Sequence, residues 1–479
     1  MFGRTAAALA PIALLASLPA HAHLAGEVFI HDPSTLAWSD GRWWTFGTGG
    51  GGLSSVDGWT WQANAERPGG GVAPDTIRIG DRYLVGYAIG GGGMSGGHAS
   101  DVKTMWTKSL DPASPDFGFS EPITVAQSSG YENHDAIDIA FLMHEGRLYA
   151  TFGTYFGSIR MIELDPATGG RLENTRDEEI AIDMEATAML YRDGWFYLLG
   201  THGTCCDSIN STYNIRVGRS RDPFGPYVDN MGVPLLRGGG RLVAAAHGRF
   251  AGAGHFGLVD LGEDMQKFSM HYEADFDRSG HSVLAIEPLL WEKGWPVAGT
   301  NVRPGTYEIN SLGSGNSLQL KTDFVRIEHE RRRGFRPAPG EELVSIPNQS
   351  LEDVEAGWPE SSVAVDLSHF MVRPNQEWTI TARPDKGGYF GAPYYSITIA
   401  GTDRALAATA DREVEAVPAY TGEDAQLWRI DQLTDGTYRI TPKLYAGEDY
   451  ALMAIGRSTV SLTRFDPDSD AGRWMFNHP

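Results

Sequence analysis

The apolar residues of this chain fall in short runs rather than at helical spacing, and the runs come in pairs. In five places a strand-like run meets a tight polar turn and continues into a second run rich in aromatics. The copies are HDPSTLAWSDGRWWTFGTG from His31, APDTIRIGDRYLVGYAIG from Ala73, IDIAFLMHEGRLYATFGTY from Ile137, MEATAMLYRDGWFYLLGTH from Met184 and GHFGLVDLGEDMQKFSMHY from Gly254. Asp40, Asp81 and Asp193 fall in the turns themselves. A hairpin that returns at intervals of roughly 40–70 residues predicts a β-propeller with one hairpin core per blade. Five copies predict five blades over residues 23–299, with segments such as 157–165 and 213–220 as outer strands. The predicted class is all-β.

Residues 300–479 repeat with a different unit. Strand pairs begin at Gly305, Tyr394 and Gly436, and a tryptophan closes each copy: Trp378, Trp428 and Trp474. Three short multi-strand copies predict a β-trefoil. The first copy is lengthened by an insertion, about 323–366, whose Arg331-Arg332-Arg333 run reads as a solvated loop.

At the front of each hairpin stands an ionisable residue: Asp32, Asp75, Asp138, Glu185 and His255. The first strand of a blade lines the propeller axis, so the repeat aims all five into one cavity. Such acids can also cap turns or pair with arginines. Three carboxylates converging without a task would be costly, and crowding drives their pKa values apart. One then stays protonated while another stays charged. Cleavage of a glycosidic bond needs such a pair: an acid for the leaving oxygen, and a carboxylate as nucleophile or as base on water. The longer side chain of Glu185 suits the acid. Trp43, Trp44, Trp59, Trp61, Tyr131, Tyr155 and Phe156 offer flat faces for sugar rings, although most hairpin aromatics belong to blade cores.

Charge and leader narrow the setting. A formal charge of −22 argues against nucleic acid and anionic membranes as partners, and leaves a neutral polysaccharide or oligosaccharide open. Arg4, the apolar run Ala6–Leu18 and the Ala20-His21-Ala22 site read as a secretory signal over residues 1–22, which places the mature chain outside the cytoplasm, secreted or periplasmic. Cys205 and Cys206 are the two cysteines and are adjacent, so they cannot form a disulfide framework. They read either as a buried pair of small apolar residues or as a vicinal disulfide stiffening a loop. Oligomeric state is not legible here.

Taken together, residues 27–299 resemble the five-bladed glycoside hydrolases of family 43. H-D-P at 31–33 resembles the segment that carries the family's catalytic base, which assigns Asp32 that role. A-P-D at 73–75 resembles its W-A-P-D segment, with Val72 in place of tryptophan. Asp138 matches the aspartate that tunes and orients the acid, and Glu185 the general acid itself. CCDSINSTYNIRVGRSRDPFGPYVD, from Cys205, is similar to the C-C-x-G-x-x-S-T-Y-x-I segment of arabinan-cleaving members. G-A-G-H-F-G at 252–257 resembles G-P-G-H-N, which implies His255 at the axis beside a hydrated calcium ion. His31, Asp75, Trp44, Tyr155 and Ser211 are the sugar-binding candidates. The resemblance implies inverting hydrolysis of α-L-arabinofuranosyl linkages, with β-galactofuranosides or β-xylosides, or a non-catalytic glycan-binding propeller, as alternatives. Ala186-Thr187, Ile139 and Asp207 depart from the family's usual residues beside the substrate. Q-x-W at Gln376–Trp378 and Gln426–Trp428 resembles ricin-type lectins, with Gly472 replacing the third glutamine. That implies a carbohydrate-binding domain, with Asp403 and Tyr420 or Asp449 and Tyr450 as candidate contacts.

Overall fold

The computed structural model describes residues 23–91, 99–321, 326–327, 342–343 and 360–479. The leader Met1–Ala22, the Arg331–Arg333 run and most of the insertion lie outside the described residues.

The five hairpins grow into five antiparallel sheets, the blades of a propeller. Their innermost strands are Ala37–Ser39, Val72–Ile79, Ala140–His144, Glu185–Arg192 and Phe250–Asp260. The expected outer strands are present as Ser158–Leu164 and Asn214–Ser220. Apolar side chains fill the spaces between blades. Leu84 and Val102 of blade 2 share one cluster with Phe141 and Leu148 of blade 3, all buried.

A recurring kink marks each innermost strand. Blades 2 and 4 open with a bulge and blade 5 carries one midway along its inner strand, the register slipping between Val72 and Asp75, Glu185 and Ala188, and Gly254 and Phe256. The residue within each bulge is left-handed: Ala73 (φ 50°), Ala186 (φ 44°) and His255 (φ 38°). Asp32 (φ 54°) and Asp138 (φ 55°) hold the same conformation just before the inner strands of blades 1 and 3. Such a residue re-aims its neighbours, and non-glycine residues adopt it only where their surroundings enforce it.

The ring closes at the N-terminal segment. Ala25–Gly26 pairs in parallel with the outer strand of blade 1, Thr60–Glu66. Val28 accepts the N–H of Leu284, and Phe29 bridges to Val283, both on the third strand of blade 5. The segment thus clasps the last blade to the first, and it runs directly into His31 and Asp32. At the same seam the inner strand of blade 5 passes so close that a Cβ on Gly257 would meet Thr35 Cα at 2.3 Å.

The second domain shows the predicted three-fold pattern. Trp378, Trp428 and Trp474 are fully buried, and their indole N–H groups donate to the carbonyls of Leu318, Leu406 and Leu452 at 2.8, 3.0 and 2.8 Å. Gln376 and Gln426 accept the N–H of Met371 and Thr421 at 2.8 and 2.7 Å. At the third position a side chain has no room, since a Cβ on Gly472 would meet Met453 Sδ at 2.6 Å. The described part of the insertion includes a two-strand ladder, Arg326–Ile327 with Glu342–Leu343.

The domains are tightly docked. Trp43 of blade 1 packs on Phe390 at 4.6 Å between ring centres. Trp291 N–H donates to Thr434 O, and Thr434 N–H to Asp264 O, both at 2.7 Å. Arg473 pairs with Asp264 at 2.5 Å, and Arg439 pairs with Glu263. Lys267 of blade 5 is buried beneath this contact beside the charges of Asp431, Arg429 and Arg439, and burial pulls its ammonium down to about 8.

Candidate active site

Asp32 stands at the clasp, held from both of the blades that meet there. Its Oδ2 accepts from Thr48 Oγ1 at 2.5 Å and lies 2.9 Å from His31 Nδ1. Its Oδ1 lies 3.1 Å from His255 Nδ1. Its backbone N–H donates to His271 Nδ1 at 2.9 Å. Burial alone would push this carboxyl up, but His255 and His31 outweigh it and hold Asp32 well below the usual range. Asp32 is therefore ionised.

The histidines are fixed in turn. His271 accepts at Nδ1, so its proton sits on Nε2, which faces Glu273 Oε1 at 3.4 Å; burial lowers its pKa and keeps it neutral. The same Glu273 oxygen lies 3.4 Å from His31 Nε2. Burial lowers His31, yet Asp32 and Glu273 together raise it to about 10. Glu273, pushed up by burial and pulled down by His271 and His31, settles at about 2. Asp32, His31, Glu273 and His271 form a closed ring of contacts.

Glu185 and Asp138 occupy the opposite electrostatic regime. Burial and the charge of Asp32 raise Glu185, against a hydrogen bond donated by Tyr213 Oη, the pull of His255 and a backbone N–H from Tyr155. Asp138 Oδ2 accepts the N–H of Ala186 at 3.1 Å and so fixes the backbone next to Glu185. Burial first, then the charges of Glu185 and Asp32 working against His255, push Asp138 up to about 7. The site thus sets Asp32 and Glu273, both pulled toward the ionised form, against Asp138 and Glu185, both shifted toward the protonated form.

The family model described as glycosyl hydrolases family 43 covers residues 46–296, more than half of the chain. The chain belongs to glycosyl hydrolase family 43. A second model, ricin-type beta-trefoil lectin domain-like, matches residues 374–446. The chain is 26% identical over 321 residues to the extracellular endo-alpha-(1->5)-L-arabinanase 1 of Bacillus subtilis, covering 61% of this chain and 95% of that one. Among solved structures it is similar to an exo-1,5-alpha-L-arabinanase from a bovine ruminal metagenomic library, 28% identical, TM-score 0.52, covering 57% of this chain and 97% of that one. The Cellvibrio cellulosa alpha-L-arabinanase complexed with arabinohexaose is 25% identical, TM-score 0.52, covering 57% of this chain and 96% of that one.

In this family 43 hydrolase three of the sugar-binding candidates are otherwise engaged. Asp75 is the exception among the five front residues: it lies two residues beyond its blade's kink, is 7% exposed, and accepts the N–H groups of Thr35 and Phe141, each at 3.0 Å. It ties blades 1, 2 and 3 together, so four ionisable groups converge rather than five. Trp44 is 1% exposed in the core between blades 1 and 2 and donates to Ser39 O at 3.0 Å, which removes it as a sugar platform. Ser211 is buried and donates to Thr204 O at 2.8 Å, holding a loop. His31 is a third exposed, and Tyr155 stands beside His202 and Phe156, each 5.7 Å away between ring centres. Thr48, Tyr213, His271 and Glu273 belong to the site but do not stand out in the sequence. Tyr213 lies inside the S-T-Y segment, yet nothing in that motif says its hydroxyl reaches Glu185. His255, which the resemblance sets beside a hydrated calcium ion, turns Nδ1 to Asp32 at 3.1 Å, and an ion there would be held mainly through water, since among the described residues His255 joins no cluster of three candidate ligand atoms.

Proposed function

We propose that this enzyme hydrolyses α-L-arabinofuranosyl linkages of arabinan-type polysaccharide outside the cytoplasm, by a single inverting displacement. The observation that carries the reading is the opposed pKa shifts of Asp32, pulled down by His255 and His31, and Glu185, pushed up by burial. Glu185, kept protonated, gives its proton to the leaving glycosidic oxygen. Asp32, kept ionised, takes a proton from the water that attacks the anomeric carbon. Asp138 holds the backbone beside Glu185 through the N–H of Ala186, and the charge of Asp32 helps raise the acid. His31, His271 and Thr48 orient Asp32. The names of the relatives support arabinan as substrate, and include both endo and exo action. The trefoil serves in this reading to hold the polysaccharide.

The test is a screen of debranched arabinan and aryl-furanosides with product sizing, wild type against Glu185→Gln. Expected is release of arabinose or arabino-oligosaccharides by the wild type, and a fall of at least about 10³-fold in the variant on arabinan. NMR of the first-formed anomer should show inversion. Wild-type release from galactofuranosides or xylosides alone would move the substrate, and no hydrolysis at all would leave a binding protein.

A further inference from the structure

The disulfide between Cys205 and Cys206 joins neighbouring residues. A crosslink of that kind closes no loop of chain, so it takes almost nothing from the entropy of the unfolded state. The surrounding loop is also held by other means. Thr204 N–H donates to Thr212 Oγ1 at 2.9 Å, and Ser208 Oγ donates to Gly280 O on blade 5 at 2.9 Å. What distinguishes the disulfide is its place. Both sulfurs, a ring nitrogen of His31 and a carboxylate oxygen of Glu273 lie within 4.8 Å of one another. Cys206 is exposed, Cys205 and His31 are half-buried, and His31 holds Asp32. The sulfurs therefore line the mouth of the catalytic cavity on the side of the base.

A sugar ring presents hydroxyls at its edge and C–H groups on its face, and the face is usually met by an aromatic ring. On the acid side Tyr155 and Phe156 are available. Trp44, another aromatic expected to meet sugar, is locked in the core. A disulfide offers an apolar, polarizable surface in its place, as other sulfur side chains do.

We infer that the Cys205–Cys206 disulfide is a sugar-binding surface, against which a furanose ring beside the scissile bond rests its C–H face. The inference builds on the arabinofuranoside reading, and the experiment separates the two. Hydrolysis of linear arabinotriose by the wild type comes first; its absence sinks both. With an active wild type, the Cys205→Ala/Cys206→Ala double variant is expected to raise KM about tenfold and leave kcat within about twofold, the pattern of lost ground-state binding. Ser208→Ala, which frees the loop tip but keeps the disulfide, is expected to leave KM within about twofold. Should the double variant not fold, wild type treated with a phosphine reductant should show the same KM rise, reversed on reoxidation. An unchanged KM in the double variant or the reduced enzyme overturns the inference and leaves the substrate reading standing. Equal KM rises in the double variant and Ser208→Ala would also overturn it, because loop stiffness would then be the whole effect.

Discussion

Asp138 prefers its proton in the folded protein, titrating at about 7 against 3.8 for an ordinary aspartate. A raised pKa contributes stability that is complete below about pH 4 and is lost as pH climbs through about 7. Asp138→Asn should therefore stabilise the enzyme at pH 8 by up to about 4 kcal/mol, with the gain vanishing at pH 4, while activity falls. Denaturant unfolding at the two pH values checks this. Tyr213 acts in the other direction on Glu185, lowering its pKa through the bond it donates. Tyr213→Phe should raise the pKa of Glu185 further, so the alkaline limb of kcat/KM moves to higher pH; a shift downward would contradict the assignment. The acidic limb lies far lower because Asp32 is held ionised by two histidines. Asp32, Asp138 and Glu185 were legible because chemistry of that type is rare at the front of an apolar strand. Thr48 and Tyr213 were not, because a hydroxyl in a β-hairpin looks the same in sequence whether it meets a carboxylate or water. Trp44 misled because sequence does not tell which face of a strand turns outward after a kink.

At the scale of elements, the hairpins could be read from their turns and their alternation, and so the blade count was available from sequence. The kink that marks each inner strand was not. It falls on Asp32, Ala73, Asp138, Ala186 and His255, residues with no composition in common and, for alanine, no preference for positive φ. Aligning the acids placed Asp75 beside Asp32, but the kink places Ala73 there, which is why Asp75 ended between blades. The seam between blades 1 and 5 depends on Gly257. Gly257→Ala would drive a methyl into the Thr35 backbone and should cost roughly 1–3 kcal/mol, with a larger loss of kcat because Asp32 lies on the same seam. Thermal unfolding and steady-state kinetics on one sample would show both. In the trefoil, Gly472 looked like a lapse in the Q-x-W pattern; Met453 and Phe465 occupy the space a glutamine would need.

For the whole molecule, the contact between domains is built like an interior. It buries Lys267 among opposed charges, and it places Phe390 on blade 1 and Thr434 between Asp264 and Trp291. Domains joined this way should unfold together, so calorimetry of residues 23–479 is expected to show one transition, and a propeller ending at Gly299 should melt lower and aggregate. Two well-separated transitions would show that the docking carries little energy. None of this contact was visible in sequence, because a lysine or an arginine in a strand reads as an exposed position until its partner from the other domain is known.

The clasp that joins the first blade to the last also sets a timetable. Asp32 comes early in the chain, yet His255 and His271, which hold it, belong to the final blade. Under the proposed mechanism, a nascent chain carrying four blades has made its acid, Glu185, and the aspartate beside it, Asp138, but has nowhere to seat its base. On that mechanism hydrolytic power would be withheld until the last blade is synthesised and docked, and ring closure would also be the step that switches the enzyme on.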